Sequence, residues 1–238
     1  MTAARPPIDL ANNPAVPCPE LAALLPERVA AADLVQPVTP GSLLAAEAHR
    51  TAQWSQKRRQ DFAAGRVCAR RAMHQFGLGD FALRTGPDGL PVWPAGLTGS
   101  ITHTSGYAAA VVGPRTCVLS LGIDSERTTA VTEEVWPVIC TPAEYSSLRE
   151  AAPATRLQRA GLLFAAKEAF YKCQYPLTGE WIEFGEVAVA VHGNLASSGE
   201  FEILPGRPLM IRQQHPLPFS GRYRFHDPFV TAVMALPA

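Results

Sequence analysis

Lysine is scarce in this sequence: three residues, Lys57, Lys167 and Lys172, against 18 arginines in 238 positions. Where only positive charge is wanted the chain writes Arg, so a pair of lysines within six residues stands out. Cysteine pairs are absent as well. Cys18, Cys68, Cys117, Cys140 and Cys173 are odd in number, scattered, and form no Cys-x-x-Cys, which excludes a disulfide framework and a structural zinc knuckle and predicts a reducing, cytoplasmic setting. No apolar run approaches the ~20 residues that a bilayer-spanning helix needs. After Arg5, residues Asp9, Asn12, Asn13 and several prolines stand where a secretory leader would place its apolar core, so the expectation is no leader and no membrane. Net charge is lacking too: Lys+Arg and Asp+Glu both number 21. Bulk attraction to nucleic acid is thereby excluded, and any basic surface must be local. No glycine-rich phosphate loop, nucleophile elbow or His-Glu-x-x-His is present.

What is present can fill a core: 47% of residues are hydrophobic, with a mean hydropathy of +0.02. The 22 prolines leave two free windows, Gln53 to Phe76 and Ala154 to Tyr175, which are the best helix candidates. Residues 1–40 read as a Pro- and Ala-rich lead-in with one short helical stretch near Glu20–Ala31. A helical pattern runs from Leu43 to Phe76, stopped by Gly77 and Gly79. A turn-rich loop follows at Gly86–Pro94. Two apolar runs, Tyr107–Val112 and Thr116–Ile123, separated by Gly113-Pro114, carry the signature of a hairpin. Helices are expected around Thr132–Glu150 and Arg156–Cys173, then strands at Phe184–His192, Glu200–Leu204, Arg222–Phe225 and Phe229–Leu236. There is no sequence repeat, but the order helix-then-strands occurs twice.

Two motifs carry chemistry. Gly122-Ile123-Asp124-Ser125-Glu126 closes an apolar, strand-like run, and the spacing of two sets both carboxylates on one face. Hard oxygen ligands so placed suit a divalent cation such as Mg2+. Phe164-Ala165-Ala166-Lys167-Glu168-Ala169-Phe170-Tyr171-Lys172 lies in a helical window and adds a third acid and both clustered lysines. An isolated Asp-x-Glu is ordinary turn polarity, and an isolated Glu168/Lys172 pair contributes only about 0.2–0.5 kcal/mol on a helix. Lysine usage favours a reactive site, because lysine, unlike arginine, can exchange its proton when its surroundings lower its pKa.

Seven of the 21 basic residues, Arg50, Lys57, Arg58, Arg59, Arg66, Arg70 and Arg71, fall between positions 50 and 71, where Asp61 is the sole acid. Arg59, Arg66 and Arg70 share a helical stripe with Arg58 beside it, an arrangement suited to bidentate contacts with phosphate. A solvated arginine face is the alternative. His103 sits among Ser100, Thr102 and Thr104, which with an imidazole N–H can hold an anion; a buried structural histidine is equally compatible. Glu144 reads as a first-turn helix acid behind a Thr141 cap.

Taken in order, Arg58-Arg59-x-x-Phe62-x-x-x-Arg66-x-Cys68-Ala69-Arg70, Pro91-Val92-Trp93-Pro94-x-Gly96, Gly99-Ser100-Ile101-Thr102-His103 and the two acidic motifs resemble the 4'-phosphopantetheinyl transferases of the Sfp and EntD type, in the branch serving polyketide, nonribosomal-peptide and mycolate-type synthases. The resemblance implies an α+β fold of two similar halves related by a pseudo-twofold, residues 1–121 and 122–238, with coenzyme A in the cleft between them. It implies Mg-dependent transfer of phosphopantetheine from coenzyme A to a serine of an apo acyl or peptidyl carrier protein by a monomer, releasing 3',5'-ADP. Asp124, Glu126 and Glu168 then match metal ligands, and Glu168 with Lys172 the deprotonation of the serine. Arg58 and Arg66 match contacts to the co-substrate's phosphates, Thr102 and His103 the contact to its 3'-phosphate, and the backbone of Gly89, Leu90 and Pro91 a contact to adenine. Asp124, Lys167 and Lys172 belong to the same binding set, and Phe164, Tyr171 and Trp181 resemble the wall along the pantetheine arm. Asp88 stands where the family often carries Lys or Arg. A non-catalytic module binding coenzyme A or a carrier protein is the alternative of a different class, and a metal-dependent phosphohydrolase a third.

Overall fold

A computed structural model describes residues 18–35, 38–49, 51–193, 195, 197–215 and 218–238; Arg50 and the first part of the lead-in lie outside them. The fold is mixed α+β. In chain order the elements are α1 (Pro19–Ala22), β1 (Ala30–Leu34), a 3-10 turn at Pro40–Ser42, α2 (Ala45–Ala48), α3 (Gln56–His74), β2 (Leu97–Thr104), β3 (Tyr107–Pro114), β4 (Val118–Arg127), α4 (Trp136–Ile139), α5 (Pro142–Glu150), α6 (Pro153–Thr178), a 3-10 turn at Phe184–Glu186, β5 (Val187–Gly193), β6 (Ser198–Pro205), α7 (Ile211–Gln214), β7 (Phe219–His226) and β8 (Phe229–Pro237). Among the described residues no helix is long and apolar enough to cross a membrane.

The strands form two antiparallel sheets, one ordered β1-β3-β2 and one ordered β4-β8-β7-β6-β5. Helix α3 covers the first sheet. Its small inward residues, including Ala63, Ala64, Ala69 and Ala72, bring its backbone close to the strands, and a methyl on Gly65 would lie 2.7 Å from Ile101 Cγ2. Helix α6 covers the second sheet through Ala165, Ala166, Ala169 and Cys173. A methyl on Gly122 would lie 1.8 Å from the Ala169 carbonyl oxygen, so only glycine allows β4 to run directly beneath α6. Between the sheets, Tyr107, Ala109 and Val111 of β3 join Leu121 and Ile123 of β4 and Phe229 and Val233 of β8 in a third core.

Several local expectations are corrected. Ala30–Leu34 is a strand, because pairing with Ala108–Val112 of β3 outweighs the helix propensity of its alanines. The long basic helix starts at Gln56 rather than Leu43, where the Ser55 hydroxyl accepts from Arg58 N at 3.3 Å. The expected hairpin of β3 with β4 does not form. Strand β3 pairs with β2 from Thr104↔Tyr107 to Leu97↔Pro114, while β4 crosses to the other sheet and pairs with β8. The helix expected at 132–150 is broken into α4 and α5 at Cys140, and Thr141 opens α5 with a capping box. Helix α6 runs on past Cys173, through Pro176, to Gly179, whose φ of 65° caps it.

Candidate active site

Strands β2 and β4 belong to different sheets, yet their edges meet and are laced by side chains. Ser100 Oγ accepts from Ile123 N at 3.1 Å, and Thr102 Oγ1 accepts from Ser125 N at 3.0 Å. The same period-two run of hydroxyls reaches the acids: Thr102 Oγ1 donates to Asp124 Oδ1 at 3.0 Å and Thr104 Oγ1 to Glu126 Oε2 at 3.3 Å. Both carboxylates therefore face one side of β4, as the spacing predicts. Ser125 points the other way, to Thr231 Oγ1 at 2.8 Å, which His226 Nε2 meets at 2.8 Å.

Gly122 brings α6 over this seam, and Lys172 Nζ reaches Asp124 Oδ1 at 2.6 Å and Ile123 O at 3.3 Å. Asp124 is 4% exposed, and its second oxygen, Oδ2, is buried with no partner among the described residues. Glu126 is pushed up from 4.5 to about 7, first by burial and then by the Asp124 charge. Glu168 is raised as well, by burial and by Asp124, with Lys172 opposing. The Asp124 charge thus acts on both glutamates, and the Lys172 ammonium opposes it on both. Among the described residues no three of His, Cys, Asp or Glu converge into a finished metal cage; the Asp124 oxygen nearest α6 is taken by Lys172. The donor set nevertheless fits a hard divalent cation. It offers carboxylate oxygens only, one of them orphaned and buried, and a cation would relieve the Asp124 repulsion that adds to burial in lifting Glu126.

The two clustered lysines have different surroundings. Lys167 is 2% exposed and donates to Ile139 O at 2.8 Å, Glu144 Oε2 at 2.7 Å and Phe184 O at 2.9 Å. All three ammonium protons are thereby used, and Lys167 is a buried tie rather than part of a binding wall. Glu144 serves the same tie, accepting from Thr141 N and Val189 N at 2.8 Å each. Thr102 also departs from its expected place. It is 1% exposed and its hydroxyl is committed to Asp124 and Ser125 N, so it holds the acid instead of facing a ligand.

Next to the seam opens a cavity of about 1220 Å³, whose wall includes Trp54, Arg58, Phe62, Thr85, Gly89 and His103. The Arg58 guanidinium lies 4.4 Å above the Trp54 ring. Arg66 is buried behind the wall, 4.2 Å over Phe62, with Nη2 donating to Thr85 Oγ1 at 2.9 Å and Nε lacking a partner. Burial, with help from Arg70, lowers it to about 10. The His103 ring is open to the cavity and walled in elsewhere, and this partial desolvation pulls its pKa below the ordinary value.

A second cavity of about 560 Å³ shares Pro87 and Asp88 with the first and continues along Leu90, Pro91, Trp93, Tyr171, Lys172 and Tyr175. Tyr171 stacks on Tyr175 with centroids 5.0 Å apart and takes Trp181 edge-on at 5.3 Å. Phe164 lies on the same α6 stripe but packs on Phe184 at 5.4 Å, away from those rings. The intervening loop is a tight turn: Asp88 Oδ1 accepts from Leu90 N at 3.0 Å, and Gly89 has a φ of 85°. Trp54, Thr85 and Tyr175 were not singled out in the sequence. Thr104 was read there as an anion-holding hydroxyl, but its hydroxyl donates to Glu126.

Comparison with known proteins identifies the family of the chain. A family model described as the 4'-phosphopantetheinyl transferase N-terminal domain matches residues 46–113, and one of the 4'-phosphopantetheinyl transferase superfamily matches residues 120–225. The chain is 36% identical over 227 residues to the 4'-phosphopantetheinyl transferase Npt of Nocardia iowensis, covering 89% of this chain and 97% of that one. It is 34% identical over 206 residues to Svp of Streptomyces mobaraensis, covering 85% and 82%. With PptT of Mycobacterium tuberculosis it shares 41% over 133 residues, 56% of this chain and 58% of the relative. Matched by both family models and nearly end to end with Npt, the chain belongs to the 4'-phosphopantetheinyl transferase superfamily.

Proposed function

We propose that this protein transfers 4'-phosphopantetheine from coenzyme A to a serine of an apo acyl or peptidyl carrier protein and releases 3',5'-ADP. The observation that carries the reading is the buried, half-unpartnered Asp124 carboxylate, flanked by Glu126 and Glu168 and held by Lys172, which itself lines the smaller of two adjoining cavities. Asp124, Glu126 and Glu168 would hold Mg2+, which would supply charge neutralisation at the pyrophosphate. Glu168 takes the proton from the carrier serine, directly or through a water, as the serine oxygen bonds to the phosphorus bearing the pantetheine arm and the bridging P–O bond breaks. Burial and the Asp124 charge, which raise Glu168, make it a stronger base than an exposed glutamate. Lys172 orients Asp124 and steadies the developing charge.

In this reading Arg58 and His103 contact phosphates, Arg66 stiffens the wall behind them, and the Gly89–Pro91 backbone meets adenine. Tyr171 and Trp181, joined by Tyr175, line the pantetheine arm, and Thr102 positions Asp124. The two halves, 1–121 and 122–238, are related by a pseudo-twofold with the co-substrate between them. The protein acts as a cytoplasmic monomer. Product analysis distinguishes this from a phosphohydrolase or a mere binding module. Incubation with coenzyme A, Mg2+ and an apo carrier protein should leave 4'-phosphopantetheine covalently on protein in amounts matching 3',5'-ADP. Free phosphopantetheine or unchanged coenzyme A would refute it.

A further inference from the structure

A third cavity, of about 470 Å³, opens between α5, α6 and β5, apart from the two beside the seam. Its volume falls within the range of about 300–1,000 Å³ usual for small-molecule pockets. Leu148 of α5, Leu162 and Leu163 of α6, Ala190 and Val191 of β5 and Leu204 of β6 make its wall apolar. Its charged residues are Glu144 and Arg159. Glu144 is committed to Lys167, Thr141 N and Val189 N. Arg159 is half-buried and makes no hydrogen bond or ion pair among the described residues.

Strand β5 adds a second unmet donor. It is the last strand of its sheet, bonded to β6 on one side only. In an antiparallel ladder alternate residues turn their backbone N–H toward the partner strand and away from it. Val189 turns its N–H away, to Glu144 Oε1 at 2.8 Å, so Val191 presents its own N–H from the same open edge. No side chain or loop carbonyl among the described residues meets it.

Glu144 shows how this edge holds an acid. Its carboxylate bridges a β5 N–H and a cation of α6, Lys167. Arg159, Leu163 and Lys167 follow one another at helical spacing and share a stripe of α6. The next outward N–H of the edge, Val191, and the earlier cation of the stripe, Arg159, line the same cavity with no second acid to bridge them. A ligand carboxylate would supply that bridge, accepting from the N–H and forming charge-assisted bonds with the guanidinium. An apolar tail on the same ligand would cover the leucines and remove their surface from water.

We infer that this cavity is a binding site for a small monocarboxylate with a medium-length apolar tail, its carboxylate held between Arg159 and the Val191 N–H. The inference goes beyond the transferase reading and does not depend on it, since neither residue belongs to the seam. Calorimetry with decanoate, decanol and acetate, with and without coenzyme A in excess, tests it. Decanoate should bind, and decanol, which lacks the carboxylate, and acetate, which lacks the tail, should each bind at least about tenfold more weakly. Arg159→Gln removes a charge that holds nothing else in the fold, and should weaken decanoate about tenfold while leaving decanol unchanged; Arg159→Lys should recover part of the loss. Ala143→Phe, on the exposed rim of α5, should narrow the mouth and weaken decanoate by a second route. In amide NMR spectra decanoate should shift the Val191 signal. Equal decanoate affinity in wild type and Arg159→Gln, decanol binding as tightly as decanoate, or displacement of decanoate by coenzyme A would overturn the assignment. A wild type that transferred nothing to a carrier protein yet bound decanoate through Arg159 would remove the transferase reading and keep this site.

Discussion

Glu126 ties the electrostatics of the seam to metal affinity. Burial and the neighbouring Asp124 lift its carboxyl from 4.5 to about 7 in the metal-free protein. At pH 6 such a group is about nine-tenths protonated and at pH 8 about one-tenth. A metal ligand must shed its proton, so apparent Mg2+ affinity is cut about elevenfold at pH 6 and hardly at all at pH 8, a change of about tenfold. Glu168 is shifted in the same direction and steepens the dependence. Stability runs the other way. The folded metal-free protein holds this proton where the unfolded chain has lost it, so stability falls as pH rises from 4.5 to about 7. The full shift corresponds to about 3.4 kcal/mol, and screening of this half-buried group reduces that to roughly 1–2 kcal/mol. Calorimetric Mg2+ titrations at pH 6, 7 and 8, in buffers of different ionisation enthalpy, count the released protons. Glu126→Gln should bind Mg2+ more weakly and lose much of the pH slope. Equal Mg2+ affinity at pH 6 and pH 8, with no proton released, would refute the reasoning.

Lys172→Arg and Glu168→Gln should fold, bind coenzyme A and lose kcat by about 10²-fold or more, since a planar, bulkier guanidinium cannot take the ammonium's place between Ile123 O and Asp124 and an amide accepts no proton; full turnover by Lys172→Arg would reduce the pair to an ordinary helix contact. Lys167→Met strands the buried Glu144 charge and should cost about 3–5 kcal/mol in denaturant unfolding, with Glu144→Gln added to it recovering part. Unchanged stability would mean that the 2.7 Å pair is not a structural tie. Gly122→Ala drives a methyl into the Ala169 carbonyl and should lower Tm sharply or prevent folding, because a backbone oxygen of α6 cannot swing aside. A Tm like that of wild type would contradict the packing that delivers Lys172 to Asp124.

The sequence made the elements legible better than their partners. The strand carrying Asp124 and Glu126, the helix carrying Glu168 and Lys172, and the last four strands follow from local periodicity and proline placement. Pairing is non-local, which is why β4 was joined to β3 across Gly113-Pro114 although its ladder lies with β8. The helical stretch expected near Glu20–Ala31 stops at Ala22 for a similar reason, since Ala30 and Ala31 at its far end are claimed by a strand that pairs with β3. Within the site, side-chain spacing revealed which residues share a face but not what they touch. Lys167 and Lys172 look equivalent in sequence, yet five residues along a helix turn them to different faces, one into Glu144 and Ile139 and the other to Asp124. Thr102 and His103 likewise separate because adjacent strand residues face opposite ways.

Intact-mass analysis of an apo carrier protein tests the central claim most directly. After incubation with coenzyme A, Mg2+ and the wild-type protein, its mass should rise by one phosphopantetheine group, removed when the accepting serine is changed to alanine. Asp124→Ala, folded by thermal melt, should leave the carrier unmodified. An unmodified carrier with wild type, or full modification by Asp124→Ala, would contradict the account.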